Sequence, residues 1–417
     1  MDNSLFSGSN LIKVKTHNLQ AVLLSLLYEG GISRADLAKR TSLSSATITN
    51  LANELIDEQI ITEIGPSETD PHNKRKVGRP QKILRLIPDA RYAVGVHIGI
   101  GLFRVAITNL FAEILQNEIV HFDLGSSAEE VLTQISEEIE EVIRISEVDR
   151  NRILGVGVGA SGLVNHEEGL NVLAPRLGWE NVNIQDFLQE RLSLPVRVDN
   201  NVRTMAIAEA FFGAGREVNV LAFVYGRSGV GAGFVVNRQV FRGSGAGAGE
   251  IGHTIMVPEG GQLCRCGHHG CLETLVTEPV IIHQARLLAE QHPQSRLALN
   301  LAQDNGIPEI DKIFNAAREG DQIVQELLES QIQYLGIALA NLVNILNPEM
   351  ILLGGVFAQG DDLIRPIAHR VLSESAFCDL GEDVIVKPTS FGWRAGVIGG
   401  ASLALMDLFY QSTAGTI

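Results

Sequence analysis

The chain predicts a small helical head joined to an α/β body of two lobes, and three features carry that expectation. Charge is divided unevenly along its length. The first ninety residues run through three short helical segments, a β-prone segment, a basic loop and a second β-prone segment. Beyond Pro88, strand-like runs closed by glycine alternate with longer helical stretches.

The 417 residues carry a net charge of -16, which taken alone speaks against a polyanionic partner. The average hides a contrast. Residues 1–91 hold 12 Lys+Arg against 10 Asp+Glu, whereas the remainder holds 21 against 39. Within KRKVGRPQKILR, residues 74–85, six of twelve positions are basic and none is acidic. A length of 417 suits two or three domains, and 45% apolar residues suffice for sizeable cores. The N-terminus lacks the layout of a signal peptide and no 18-residue uncharged apolar run occurs, so a cytoplasmic protein without membrane insertion is expected. In that compartment clustered cysteines favour metal over disulfides. Cys378, alone in the sequence, is expected to be a buried thiol.

In the head, HNLQAVLLSLLY has apolar residues at helical spacing and stops at Gly30-Gly31. Ser33 begins a second helix with Asp36 three residues on, a capping-box pattern. Ser44 begins a third, SSATITNLANELIDEQ, with Ile48, Leu51 and Leu55 on one face. Ser45, Thr49, Asn50 and Asn53 occupy the other, small polar groups able to reach base edges or phosphates. With IITEIG, the basic loop and KILRLI following, this is the outline of a winged helix-turn-helix. Candidate DNA contacts are Arg34, Ser45, Thr47, Thr49, Asn50 and Arg79, the last suited to a narrow minor groove. Lys74, Arg75, Lys76 and Lys82 would add salt-dependent affinity. The alternative is a helical protein-interaction module with a flexible linker.

In the body, YAVGVHIGI, RVAITNL, ILGVGVGA, VNVLAFVYG and MILLGGV read as strands, and AEEVLTQISEEIEEVIRI and QYLGIALANLVNIL as helices. GVGVGASG is a weak dinucleotide match, because no acid stands at the expected distance. Several glycine-closed strand-turn elements instead suggest a duplicated two-lobe fold with a cleft between lobes. CRCGHHGC, Cys264 to Cys271, offers three soft ligands on a tight loop. Zinc prefers four tetrahedral sulfur or nitrogen ligands, so a fourth is needed. His268 and His269 are close in sequence but lie on an already constrained turn.

The region from about Tyr92 to the C-terminus resembles the ROK family, which groups sugar kinases with sugar-responsive repressors on an actin/hexokinase-like (ribonuclease H-like) fold. The resemblance rests on GEIGH at 249–253, CRCGHHGCLE at 264–273, LGIALANLVNILNPEMILLGG at 335–355 and SGVGAGFVVNRQVFRG at 228–243. With the winged helix it looks like the repressor branch, similar to the NagC/Mlc type. The resemblance implies His253 as the fourth ligand of a structural zinc site with Cys264, Cys266 and Cys271. It also implies a sugar cleft with Asn200, Asn201, Glu250, His253 and Glu273, rimmed by the Gly159–Gly162 turn and the Pro175–Trp179 loop. The expected division is a winged helix-turn-helix at 1–72 and a basic wing or linker at 73–90. A first lobe at 91–200 plus 396–417 and a second lobe at 201–395 with the zinc loop complete it.

Two departures from the kinase pattern set the expected function. Where ROK kinases resemble one another in DxGGT, this chain has His97-Ile98-Gly99-Ile100-Gly101, which removes an acid and places Ile in a phosphate-hugging turn. In VDNNVRTMAIAE the position of the family's catalytic aspartate is Asn201, and an amide cannot take a proton. Asp199 would substitute only if the register slipped. The expectation is therefore a repressor that is not an enzyme, binding operator DNA as a homodimer or dimer of dimers, with a sugar or sugar phosphate as allosteric effector. The alternatives are an ATP-dependent sugar kinase with a DNA-binding head, or a regulator controlled by docking to a partner protein.

Overall fold

The computed structural model describes residues 11–65 and 82–412. In the head, helix Leu11–Glu29 is followed by helices Arg34–Thr41 and Ser45–Asp57. Ser33 and Ser44 cap the latter two, accepting from the Asp36 and Thr47 amides. Each cap satisfies an amide with no partner inside the helix and stabilises by about 1 kcal/mol. Leu37, Ile48, Leu51 and Leu55 point inward and are buried. Strands Ile61–Ile64 and Ile83–Leu86 pair antiparallel as the wing, and Ile32–Ser33 pairs with the second of them. The head's sheet therefore closes at Leu86. The returning strand supplies apolar Leu84 and Leu86 to the core that the head's helices share. Lys74, Arg75, Lys76 and Arg79 lie outside the described residues.

The body is built on two five-stranded sheets with the same connectivity, and a small three-stranded antiparallel sheet, Leu163–Asn165, Leu170–Ala174 and Trp179–Asn183, is added to the first lobe. In the first, Tyr92–Ile98, Leu102–Asn109 and Ile114–His121 form an antiparallel meander. Ile153–Ala160 then adds parallel to the first of these strands, and Val196–Asn200 adds beyond it. The second sheet repeats this with Val220–Gly226, Val230–Val236, Gln239–Phe241, Met350–Gly355 and Ile385–Pro388. Numbered by appearance within each lobe, both orders are 3-2-1-4-5. Each fifth strand leads to a helix: Asn201–Phe212 in one case and, through a short turn, Ala395–Leu405 in the other. These two helices pack together between the sheets, and residues 201–211 are all buried.

The approach there is close. A Cβ on Gly157 would lie 2.0 Å from the Gly400 carbonyl oxygen, so only glycine lets the C-terminal helix rest on the first sheet. The resulting core holds side chains from both lobes, both central helices and the head, so the head is packed on the hinge rather than tethered to it. Separate apolar clusters fill the outer layers of the two lobes. Cys378 departs from expectation. It is exposed in a turn at φ 50°, where the local backbone rather than apolar packing sets its position. No helix among the described residues is long and apolar enough to cross a membrane.

Candidate functional site

The loop carrying the cysteines folds back on itself. Bridges join Ile255 to Cys271 and Leu263 to His269, and the Cys264 amide donates to the His268 carbonyl. Gly270, at φ +72°, leaves no room for a side chain: a Cβ would lie 1.9 Å from the Val257 oxygen. This turn brings His253, Cys264, Cys266 and Cys271 together with all four ligand atoms within 4.8 Å of one another. Cys264 Sγ lies 3.6 Å from His253 Nδ1, and Cys266 Sγ 3.6 Å from Cys271 Sγ. A tetrahedron with zinc–sulfur bonds of about 2.3 Å has edges of roughly 3.8 Å, so the four fit such an ion. His268 instead hydrogen-bonds Cys266 and His269 holds the Gly261 carbonyl. Burial pushes the Cys264 thiol up to about 12 in the metal-free chain, a cost that a bound cation would offset.

The cysteine loop is tied to Glu273, whose Oε1 accepts from Cys264 Sγ at 3.3 Å. Its other oxygen faces Gly229, where a Cβ would lie 3.2 Å away. Glu250 stands near enough to feel Glu273, and burial first, then that neighbour, raises its carboxyl above the ordinary range while His253 and Arg203 oppose the rise. A partly buried carboxylate such as that of Glu250 can accept from hydroxyls. Asn201, 9% exposed, donates to Ser161 Oγ at 3.3 Å, and its main-chain carbonyl accepts from Thr204 Oγ1 at 2.8 Å. Asn200 is engaged differently. Its Oδ1 caps helix Asn201–Phe212 by accepting from Val202 and Arg203, and its Nδ2 donates to the Gly162 carbonyl at 2.8 Å. It shapes the Gly159–Gly162 turn rather than presenting a free amide.

Asp199 is locked. It is fully buried and receives Arg203 Nε at 2.6 Å and Arg242 Nε at 2.8 Å. Burial alone would raise its carboxyl, but the arginines outweigh it and hold it below the usual range. A carboxylate so held is a poor proton acceptor. Arg203 also donates to the Val164 and Ala246 carbonyls, joining first-lobe and second-lobe segments.

Sequence reasoning missed several cleft cations. Arg176, half-buried in the Pro175–Trp179 loop, lies close enough to Glu273 and Arg265 to interact with both. Arg104 is partly buried in the first sheet, and Arg227 lies in an exposed turn of the second lobe. The pairing of Arg104 with His97 was legible from two strands joined at Gly99–Gly101, whereas Arg227 is brought in from the other lobe.

In the head, Ser45, Thr49 and Asn50 are exposed along the third helix. Thr47 is spent at the cap, 2.9 Å from Ser44 Oγ. Arg34 ties the second helix to Glu63 at 2.7 Å and to Asn53 at 3.0 Å. Lys82 pairs with the same Glu63 at 2.9 Å, and together these partners hold its carboxyl below the usual range.

A ROK family model matches residues 93–407, and a winged helix-turn-helix DNA-binding model matches 16–62. The chain belongs to the ROK family and carries a winged helix-turn-helix at its N-terminus. Among its relatives is the xylose repressor of Caldicellulosiruptor bescii, 29% identical over 395 residues, spanning 95% of this chain and 97% of the relative. A glucokinase of Halalkalibacterium halodurans is 32% identical over 314 residues, spanning 75% of this chain and 94% of the enzyme. A solved structure described as a ROK family transcriptional regulator, a homologue of the Escherichia coli Mlc protein, superposes with a TM-score of 0.81. It is 29% identical, with 96% of this chain and 98% of that one covered.

Proposed function

We propose that the protein is a cytoplasmic, sugar-responsive transcriptional repressor. Its head binds operator DNA as part of a homodimer, and a sugar or sugar phosphate held between the lobes is the allosteric effector. One observation carries this reading: the winged head shares a single core with the two helices between the lobes. The repressor relative spans 95% of this chain and the glucokinase 75%, which supports the same reading.

Ser45, Thr49 and Asn50 present the DNA-reading face, with Arg34 setting the angle between the second and third helices. Asn201, Glu250 and Glu273 read hydroxyls, each of which must find a partner if binding is not to lose affinity. His253, Cys264, Cys266 and Cys271 would hold Zn2+ as a closed structural site, contributing metal-binding free energy to the order of the loop that bears Glu273. An effector that shifts lobe closure shifts the head, and by linkage the two ligands alter each other's affinity equally.

Phosphoryl transfer is not part of the reading, since Asn201 cannot act as base and Asp199 is held by two arginines. The test measures binding of the chain's own promoter fragment by fluorescence anisotropy, with and without a panel of sugars and sugar phosphates. A change in operator affinity with at least one of them is expected. Steady turnover of ATP with any hexose in a coupled assay would overturn the reading in favour of a kinase.

A further inference from the structure

Opposite the carboxylates, the cleft holds a group of cations that the hydroxyl-reading residues do not use. His97 and Arg104 pair across the hairpin at Gly99–Gly101, so their side chains share one face of the sheet. His97 is only 5% exposed, and neither ring nitrogen has a hydrogen-bond partner. The ring lies against Gly396 in the first turn of the C-terminal helix, where a Cβ would come within 2.6 Å of His97 Cγ. Arg104 Nε is also buried without a partner, and its guanidinium sits 5.8 Å from the centre of the Trp393 ring. No carboxylate pairs with Arg104 among the described residues.

Arg227 arrives from the second lobe, in the turn between Val220–Gly226 and Val230–Val236, and acts on both Arg104 and His97. Glu278 reaches Arg227 at 3.6 Å and Tyr225 hydrogen-bonds it, whereas neither supplies a carboxylate to Arg104. Burial first, then these two cations, pushes His97 down to about 3, so the ring is neutral and offers one N–H and one lone pair. Buried polar atoms left unpaired, beside cations that repel one another, call for a ligand that brings negative charge.

We propose that Arg104 and Arg227 form the anion pocket of the effector cleft, binding the charged group of an anionic monosaccharide while the His97 ring N–H completes the pocket. The proposal rests on the reading of the cleft as a sugar site and names the class of sugar. The two walls are continuous. Asn201 donates to Ser161, whose amide donates to the Ile98 carbonyl at 3.1 Å, one residue from His97. On the other side Gly229, two residues beyond Arg227, lies against Glu273. A guanidinium pair receives the oxygens of a phosphate ester or of a carboxylate, so the shared chemistry is an anionic group on a sugar.

The test uses isothermal titration of the zinc-loaded full chain. The ligands are neutral aldoses (glucose, xylose), their terminal phosphates, the matching aldonic and uronic acids, and inorganic phosphate. At least one anionic sugar should bind roughly tenfold tighter than its neutral parent. Arg104→Gln and Arg227→Gln should each abolish that preference and leave the parent's affinity within about twofold. Preference for phosphates or for acids identifies the source of the charge. Arg227 lies in a surface turn, so its variant tests the pocket even if the Arg104 variant misfolds. Equal binding of neutral and anionic sugars by the wild type would overturn the pocket and leave the sugar site standing. Equal loss of both in the arginine variants would overturn it too. Arginine-dependent binding of inorganic phosphate with no sugar bound would keep the pocket and remove the sugar reading. Binding of none would remove both.

Discussion

Asp199 lies two residues before Asn201, and its surroundings give it a structural task. Two arginines meet it where Arg203 is 1% exposed, so removing the acid strands a buried guanidinium. Asp199→Ala should therefore cost about 3–5 kcal/mol, read as a lowered midpoint in urea unfolding. The pH dependence follows from the depressed carboxyl. Its contribution is complete above the ordinary aspartate range and is lost as pH falls through and below it. Glu250 has the opposite sign. Burial raises its carboxyl above the usual 4.5, so its stabilising effect is present at low pH and is lost as pH rises through the raised value. Glu250→Gln should raise the melting temperature of the ligand-free protein at neutral pH by a few degrees at most, while weakening sugar binding at least tenfold. Loss of both stability and binding would assign Glu250 to the scaffold instead. This exchange is expected wherever a site keeps polar groups unpaired for a ligand.

At the scale of elements, the cysteine loop shows what is legible in a sequence and what is not. Three cysteines in eight residues announce a metal-type cluster because ligand spacing is a local property. The bond from Cys264 to Glu273 and the pairing of Arg242 with Asp199, 43 residues away, depend on the fold and leave no local trace. The same contrast runs through the sheets. Strands and helices were readable from periodicity and glycine, and the duplication was readable from their repetition. The 3-2-1-4-5 order was not, because it places strand Met350–Gly355 beside Val220–Gly226 across more than a hundred residues. Arg34 and Lys82 illustrate the limit for charges: the sequence offers them as free cations, and Glu63 claims both. One prediction belongs here. Chelation, or Cys266→Ser, should expose residues 254–272 to limited proteolysis and reduce sugar-dependent stabilisation. The head's DNA affinity should stay within about twofold, since the loop touches no part of the head. Metal analysis of the wild type should return about one zinc per chain.

At the scale of the whole molecule, the question is how an event in the cleft reaches the DNA. Among the contacts between head and body, two sets on the first helix reach different lobes. Tyr28 sits with its ring 4.0 Å from the Arg238 guanidinium and 5.3 Å from that of Arg216, and its hydroxyl donates to the Ala210 carbonyl. Arg238 lies in the turn between two second-lobe strands, and Ala210 in the helix between the lobes. Gln20, two turns earlier on the same helix, donates to the Ser412 carbonyl beyond the C-terminal helix, which rests on the first lobe. A helix pinned to both lobes cannot keep its orientation when they move relative to one another, and the other head helices pack on it. Tyr28→Ala removes the ring contacts with both arginines and the hydroxyl bond, weakening the second-lobe side. The Arg216 bonds to the Leu27 and Tyr28 main-chain carbonyls and the Gln20 contact stay in place. The variant should bind operator within a few-fold of wild type and bind the sugar effector unchanged, yet lose most of the coupling between them. Coupling energies in such systems are typically about 1–3 kcal/mol, so a response of roughly 5- to 150-fold should shrink toward unity. Operator anisotropy titrations with and without saturating effector measure it. Full retention of the response in Tyr28→Ala would show that the signal travels through the first-lobe contact or between subunits instead.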